Sequence, residues 1–477
     1  MSSDLLTLSA VELLRLYRSK RTSPVEVTRA VLKQIDDLNP LLNCFCFLAP
    51  DALAVARDSE ARWMKGEPKG MLDGVPVSIK DLLLTKGWPT LRGSKTVDAK
   101  GPWNDDAPVV ARLREAGALL IGKTTTPEFG WKGVTDNPLT GITRNPWNPA
   151  RTPGGSSGGA AAALAAGMGP LTLGTDGGGS IRIPCAFTGV FGLKPSFGRV
   201  PAWPLSPFGT VAHVGPMTRS VHDAALMLDV LARPDARDWH ALPYDSRDYR
   251  VGLDEGVRGL RIAYSANLGY AEVDAEVAAL VEQAAMRFVD LGALVEFVDP
   301  GFANAEPVFR AHWFTGAAYL LKNFSPQQKA LVDPGLVEVA EQGARIGLLD
   351  LLEAVQRRGA LGVHMNQFHE KYDLLLTPTL PLAAFEAGKE VADVVKEKRW
   401  TDWTPFSYPF NLTQQPAASI PCGLTAEGLP VGLQIVGPRY ADAVVLRAAR
   451  AFESAQPIPM PDLAALAARG SEANMAV

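Results

Sequence analysis

Two periods of apolar and polar residues alternate along this chain. Near the amino terminus the apolar positions of V-E-L-L-R-L-Y, and then Val27, Val31, Ile35 and Leu38, recur at helical spacing. Each run follows a capping box, Ser9-x-x-Glu12 and Ser23-x-x-Glu26, the second with Pro24 at the first helical position. The pattern predicts two helices, the second ended by Asn39-Pro40, and a third helical stretch over 51–65. From Gly70 the period shortens to two. In L-D-G-V-P-V-S-I-K-D, Val75, Val77 and Ile79 share one face and Pro76, Ser78 and Lys80 the other. That is a half-buried strand, and on its own terms Lys80 reads as a solvated lysine at the strand's end.

Farther on, Val221, Ala225, Leu228 and Leu231 mark another helix face, and loop-like charged sequence over 233–258 marks a break or insertion. L-R-I-A-Y, a helix over 274–291 and L-V-E-F-V then read as strand, helix, strand, the parallel crossover unit. Helical sequence fills 306–371. D-L-L-L-T-P-T, A-A-S-I-P-C-G-L and V-G-L-Q-I-V-G supply three more strands, and a helix over 441–455 follows. Alternating strands and helices predict an α/β fold with a mostly parallel sheet.

Length pulls the other way: 477 residues suggest two or three domains. A net charge of −4, with no block of lysines and arginines, gives no case for direct nucleic-acid binding. The amino terminus carries acids early and has no apolar core, so it is not read as a secretory signal. The longest uncharged run, 152–175, is built of Gly, Ala, Ser and Pro and is too weakly apolar for a membrane span. Cys44, Cys46, Cys185 and Cys422 fit neither a zinc site nor a disulfide framework; Cys44 and Cys46 read as buried thiols, and a reducing cytoplasm fits.

Candidate chemistry gathers in 151–199, where R-T-P-G-G-S-S-G-G and G-T-D-G-G-G-S-I-R-I-P flank a run of small residues. Glycines clustered around serines let the backbone turn with positive φ or approach a ligand. Two familiar motifs fail here. Gly117-x-x-x-x-Gly122-Lys123-Thr124 matches a phosphate loop, but its middle residues, A-L-L-I, are themselves a strand. G-x-S-x-G around Ser156 and Ser157 needs a buried strand before it, and N-P-W-N-P-A-R-T-P cannot be one. Ser180 is better placed, after the strand L-T-L-G-T and a glycine turn. There the backbone N–H groups of Gly177, Gly178 and Gly179, with that of Ser180, could converge on an oxyanion. Such a serine needs a base. The six histidines sit in no motif. A lysine serves if burial lowers its pKa by roughly three units, about 4 kcal/mol.

G-V-P-V-S-I-K-D, P-G-G-S-S-G-G and G-T-D-G-G-G-S-I-R-I-P, in this order, resemble the amidase signature family. The likeness extends through F-G-L-K-P-S-F-G-R-V, H-V-G-P-M-T-R-S-V, Y-D-L-L-L-T-P-T and G-L-P-V-G-L-Q-I-V-G, and only about 233–371 is weakly matched. The resemblance implies a Ser–Ser–Lys triad: Ser180 the acylated nucleophile, Ser156 the bridge after a cis Gly155–Ser156 bond, and Lys80 the base. Thr175, Asp176 and Arg182 would support it. It also implies one α/β domain around a mixed, mostly parallel twisted sheet, in place of several domains. The expected division is an N-terminal helical segment at 1–66, the α/β domain at 67–458 and a loosely held tail at 459–477.

The implied activity is hydrolysis of a small carboxylic amide, aryl or otherwise apolar, to an acid and ammonia or an amine through an acyl-serine. No cofactor and no metal is called for. The partner is a small-molecule amide, with no nucleic acid bound directly and no membrane; a homodimer is left open. The alternative within the family is the glutaminase subunit of a tRNA-dependent amidotransferase, which passes ammonia to a partner subunit. One departure is Gly177, where many members carry a larger residue; it is expected to leave the turn intact and slightly more mobile. Aromatic loops at Trp203–Phe208 and Trp403–Phe410 are the expected pocket walls.

Overall fold

The two amino-terminal capping boxes start the helices Ala10–Arg18 and Pro24–Leu42 of the protein, described here by a computed structural model covering residues 2–457 and 459–468. In each, the serine Oγ accepts from the N3 amide and the glutamate reaches back to the cap amide. Asn39-Pro40 does not end the second helix. Pro40 costs one backbone bond in the last turn, and the chain runs on to Asn43, whose left-handed φ of 53° closes the helix. The side chain of Asn39 instead accepts from the Cys44 and Phe45 amides at 2.8 Å and steers the chain into a strand. That strand lies inside the segment expected to be helical. Along it Phe45 points inward and Cys46 outward, so of the two thiols read as buried only Cys44 is.

Among the described residues thirteen strands form: β1 Phe45–Leu48, β2 Pro76–Lys80, β3 Leu119–Thr124, β4 Asp136–Asn137, β5 Gly141–Ile142, β6 Leu171–Asp176, β7 Phe191–Lys194, β8 His213–Thr218, β9 Arg261–Tyr264, β10 Leu294–Phe297, β11 Leu374–Pro378, β12 Ala417–Leu424 and β13 Pro430–Val436. β4 and β5 make a small hairpin; the other eleven form one sheet in the order β1-β3-β2-β6-β8-β7-β12-β13-β11-β9-β10. The fold is a single α/β domain around a large mixed sheet. Parallel pairing occupies two blocks, β3-β2-β6 and β11-β9-β10, the latter containing the crossover read from sequence. The ladders between and outside these blocks are antiparallel.

Small residues let a helix approach the β3-β2-β6 block closely. The helix Gly158–Ala165, G-G-A-A-A-A-L-A, is wholly buried and packs on β2, β3 and β6. A Cβ on Gly159 would stand 2.3 Å from Thr125 Oγ1, so glycine is what permits that approach. Tyr17, Val31 and Ile35 share one apolar core with β2, β3 and β6. The phosphate-loop match resolves as the sequence predicted: Lys123 lies in β3, buried, donating to Leu83 O at 2.6 Å and Thr90 Oγ1 at 2.9 Å. The stretch 233–258 carries no helix or strand, and helices fill 306–368. Of the tail, Leu466 is buried in the main core, and 469–477 lie outside the described residues. No helix among the described residues is long and apolar enough to cross a membrane.

Candidate active site

β2 is buried at all five positions, which overturns the half-buried reading of Lys80. The helices Pro24–Leu42 and Gly158–Ala165 both pack on this strand. Lys80 is 0% exposed, and its Nζ donates to Ser156 Oγ at 2.7 Å, Thr175 Oγ1 at 2.8 Å and Ser157 Oγ at 2.9 Å. Burial pushes its ammonium well below the ordinary lysine value, and the nearby Asp176 carboxylate only partly opposes this. Three hydroxyls, each able to donate or accept, suit a neutral amine in a way three carbonyls would not.

Ser156 follows a cis peptide bond from Gly155, as expected. Gly155 has no room for a side chain, since a Cβ would meet Val134 O at 2.5 Å. Thr135 Oγ1 fixes this turn by donating to Gly154 O at 2.8 Å and accepting from the Gly158 amide at 3.1 Å. Ser157, which sequence reasoning gave no role, touches Lys80 and also donates to Thr175 O at 3.2 Å. Its amide donates to Ser180 O at 3.1 Å and ties the two glycine-rich turns together. Its position next to Ser156 was the one signal available.

Ser180 stands between β6 and the helix Arg182–Thr188, on the turn G-G-G. Asp176, at the end of β6, organises that turn. Its carboxylate accepts from Gly179 N at 2.7 Å, Arg182 Nε and Nη2 at 2.9 Å and Asn411 Nδ2 at 2.8 Å. Burial opposes the charge, but Arg182, then Lys194 and Asn411, overcome it and hold the carboxyl well below the usual range. The Gly179 amide is therefore committed to Asp176, which corrects its expected place among the oxyanion donors. Among the described residues no acceptor takes the amides of Gly177, Gly178 or Ser180.

Arg182 is fully buried and makes further bonds to Gln434 Oε1 at 2.7 Å, Asn411 Oδ1 at 2.6 Å and Ser407 O at 2.9 Å. Arg182→Met is expected to lower the unfolding free energy by about 3–5 kcal/mol, because it strands the Asp176 carboxylate in the core. Urea denaturation of variant and parent would check this; a loss under about 1 kcal/mol would contradict it.

Ser156, Thr175, Gly177 and Ser180 open into one cavity of about 210 Å³. Its walls include every residue of Trp203–Phe208, as expected. The Trp403–Phe410 stretch does not line it. Trp403 stacks on Phe187, and Ser407 Oγ donates to Gly178 O at 2.5 Å, so this stretch braces the glycine turn from behind. The missing wall is Trp313, from the helix Glu306–Leu321, stacked 3.8 Å from Phe208. A Cβ on Gly177 would meet Trp313 Cζ3 at 2.7 Å: the space freed by that glycine is filled by indole. His213 also lines the cavity; burial, then the Lys194 charge, hold it neutral, and Nδ1 lies 2.7 Å from Val211 O. Among the described residues no three His, Cys, Asp or Glu side chains gather as a metal site requires.

The Amidase family model matches residues 26–446. The chain belongs to the amidase signature family. It is 40% identical over 463 residues to an acylamidase of Rhodococcus erythropolis, covering 94% of this chain and 96% of that one. It is 36% identical to a glutamyl-tRNA(Gln) amidotransferase subunit of Chloroflexus aurantiacus, covering 90% and 92%. Among solved structures it resembles a bacterial aryl acylamidase, with TM-score 0.89, 33% identity and 97% and 98% of the two chains covered. Amidase signature members are hydrolases of carbon–nitrogen bonds in linear amides, and this chain is one of them.

Proposed function

We propose that this amidase cleaves small, largely apolar carboxylic amides through an acyl-Ser180 intermediate. The observation that carries the reading is the buried Lys80 amine, 2.7 Å from Ser156 Oγ, beside a cavity that Ser156 and Ser180 both line. Ser180 Oγ attacks the amide carbon while its proton passes through the Ser156 hydroxyl to Lys80 Nζ. The developing oxyanion is received by the free amides of the glycine turn. Collapse breaks the C–N bond, and Lys80 returns the proton through Ser156 to the leaving nitrogen. Water then attacks the Ser180 ester, giving its proton to the same relay, which returns it to Ser180 Oγ as the ester C–O bond breaks and the acid is released. No step calls for a metal or an organic cofactor.

The cavity walls argue for the apolar class. Phe129, Trp203, Phe208, Trp313, Leu82 and Leu320 surround the serines. Burying one aromatic ring of a substrate contributes roughly 2–3 kcal/mol. An acylanilide is therefore expected to exceed acetamide by about 30- to 150-fold in kcat/KM. Amine and ammonia release from a panel of aryl, alkyl and amino-acid amides would test this. Equal rates on acetamide and anilides would contradict the apolar pocket. Turnover of glutamine alone, with a second protein co-purifying, would move the chain to the amidotransferase reading, which the likeness to the Chloroflexus aurantiacus sequence keeps in view.

A further inference from the structure

We propose that Arg92 is a substrate-binding residue, selecting amides that carry a carboxylate on an otherwise apolar body. This rests on the amide-hydrolysis reading above and narrows its substrate class. Arg92 lies in T-L-R-G-S, on the segment that leaves β2 just beyond Lys80. Its backbone is left-handed, with φ 58°, a conformation disfavoured for arginine. Two bonds hold it there: the Arg92 amide donates to Asp81 Oδ2 at 2.8 Å, and Arg92 O accepts from the Phe129 amide at 2.8 Å. Gly93 beside it is equally fixed, since a Cβ would meet Thr126 O at 2.8 Å. The root of the side chain is thus anchored to the residue that follows Lys80.

Arg92 lines the same cavity as Ser156 and Ser180. Among the described residues no acceptor or anion engages its guanidinium. Other arginines with restricted exposure are differently placed: the buried Arg182 is bonded on all sides, and of the half-buried ones Arg219 donates to Leu8 O at 2.7 Å and Gly169 O at 2.8 Å, and Arg358 donates to Leu412 O at 2.8 Å. Partial burial lowers the Arg92 pKa, and Asp81 only partly opposes it, as expected of a cation half withdrawn from water without a close partner. The other charged side chain on the cavity wall, Asp238, is occupied by the amides of Ala202 at 2.8 Å and His240 at 2.9 Å. A planar fork of N–H donors in a site of low polarity is matched by a carboxylate, which it can take with two parallel bonds. A substrate with an aromatic body and a carboxylate, on the acyl or the amine half, satisfies the walls and the cation together.

Two matched pairs of amides test the proposal: para-acetamidobenzoate against para-methylacetanilide, and succinanilate against butyranilide. The ratio of kcat/KM within each pair is compared between the parent and Arg92→Met, so that leaving-group reactivity cancels. In at least one pair the ratio is expected to fall roughly 10- to 100-fold in Arg92→Met, the scale of a lost charge-assisted pair, and to recover in part in Arg92→Lys. Unchanged ratios in both pairs, with the neutral anilides still cleaved by the parent, would overturn the Arg92 assignment and leave amide hydrolysis standing. No turnover of any of the four by the parent would remove both. A measurement on the parent alone covers a variant that fails to fold. Hydrocinnamate should inhibit anilide hydrolysis at least about tenfold more strongly than hydrocinnamyl alcohol, and equal inhibition would overturn the assignment.

Discussion

Ser180→Ala is expected to remove amide hydrolysis, by about four orders of magnitude or more in kcat, while the protein stays folded. Both halves follow from how the turn is held. The bonds that shape it run through the backbone and Asp176: Gly179 N to Asp176, Ser157 N to Ser180 O, and Ser407 Oγ to Gly178 O. None uses Ser180 Oγ, so its loss leaves the turn, the amides and the cavity in place. What disappears is the atom that becomes acylated. A fluorophosphonate, followed by peptide mass mapping, distinguishes the three serines in reach: a label on Ser180, absent from the variant, is expected. A label on Ser156 or Ser157 would reassign the nucleophile. Thermal melts that coincide within about 1 °C, about 1 kcal/mol for a chain of this size, would show that folding was not the cause.

Much of this arrangement is legible in the chain because it depends on residues that admit few alternatives. Capping boxes name helix starts through two reciprocal bonds, and both appear where Ser9 and Ser23 place them. Glycine pairs around Ser156 and the triple glycine before Ser180 announce turns that exclude side chains, and the clashes a Cβ would meet there show why. Lys80 is different. Its strand gave it a polar face, and only the resemblance singled it out. Its burial depends on the helix Gly158–Ala165, whose own pattern of small residues names no partner. The commitment of the Gly179 amide was likewise hidden, because it depends on the direction of the Asp176 carboxylate, which Arg182 and Asn411 fix from distant parts of the chain. Trp313, for which the sequence offered no role, took the part expected of Trp403 for a similar reason. Aromatic density predicts a packed cluster, but which ring faces the cavity is decided by the approach of the helix Glu306–Leu321 to the glycine turn.

Removing the base should separate the three members of the relay. Lys80→Ala is expected to cost several orders of magnitude in kcat, and Ser156→Ala less, because a water in the vacated space can carry the proton between Lys80 and Ser180. Base catalysis of this kind contributes roughly 10²–10⁴-fold, and losses beyond that range would report the displaced hydroxyls as well. Lys80→Arg supplies a cation that cannot shed its proton, since a guanidinium stays protonated to about pH 12 and beyond; it should be as inactive as alanine. The pH dependence has a definite sign. Burial depresses the Lys80 pKa, so the amine is neutral above that depressed value and takes up a proton as pH falls through it. Activity should therefore be full on the alkaline side and decline about tenfold per pH unit on the acid side. Folding obeys the same linkage. The unfolded lysine holds its proton up to about pH 10.4, and the folded one releases it earlier. This group's contribution to stability thus rises with pH across that interval, and Lys80→Ala should flatten that slope. A rate profile for the parent that is flat through acid pH, or a Lys80→Ala enzyme turning over near the parental rate, would show that the proton leaves Ser180 by another route.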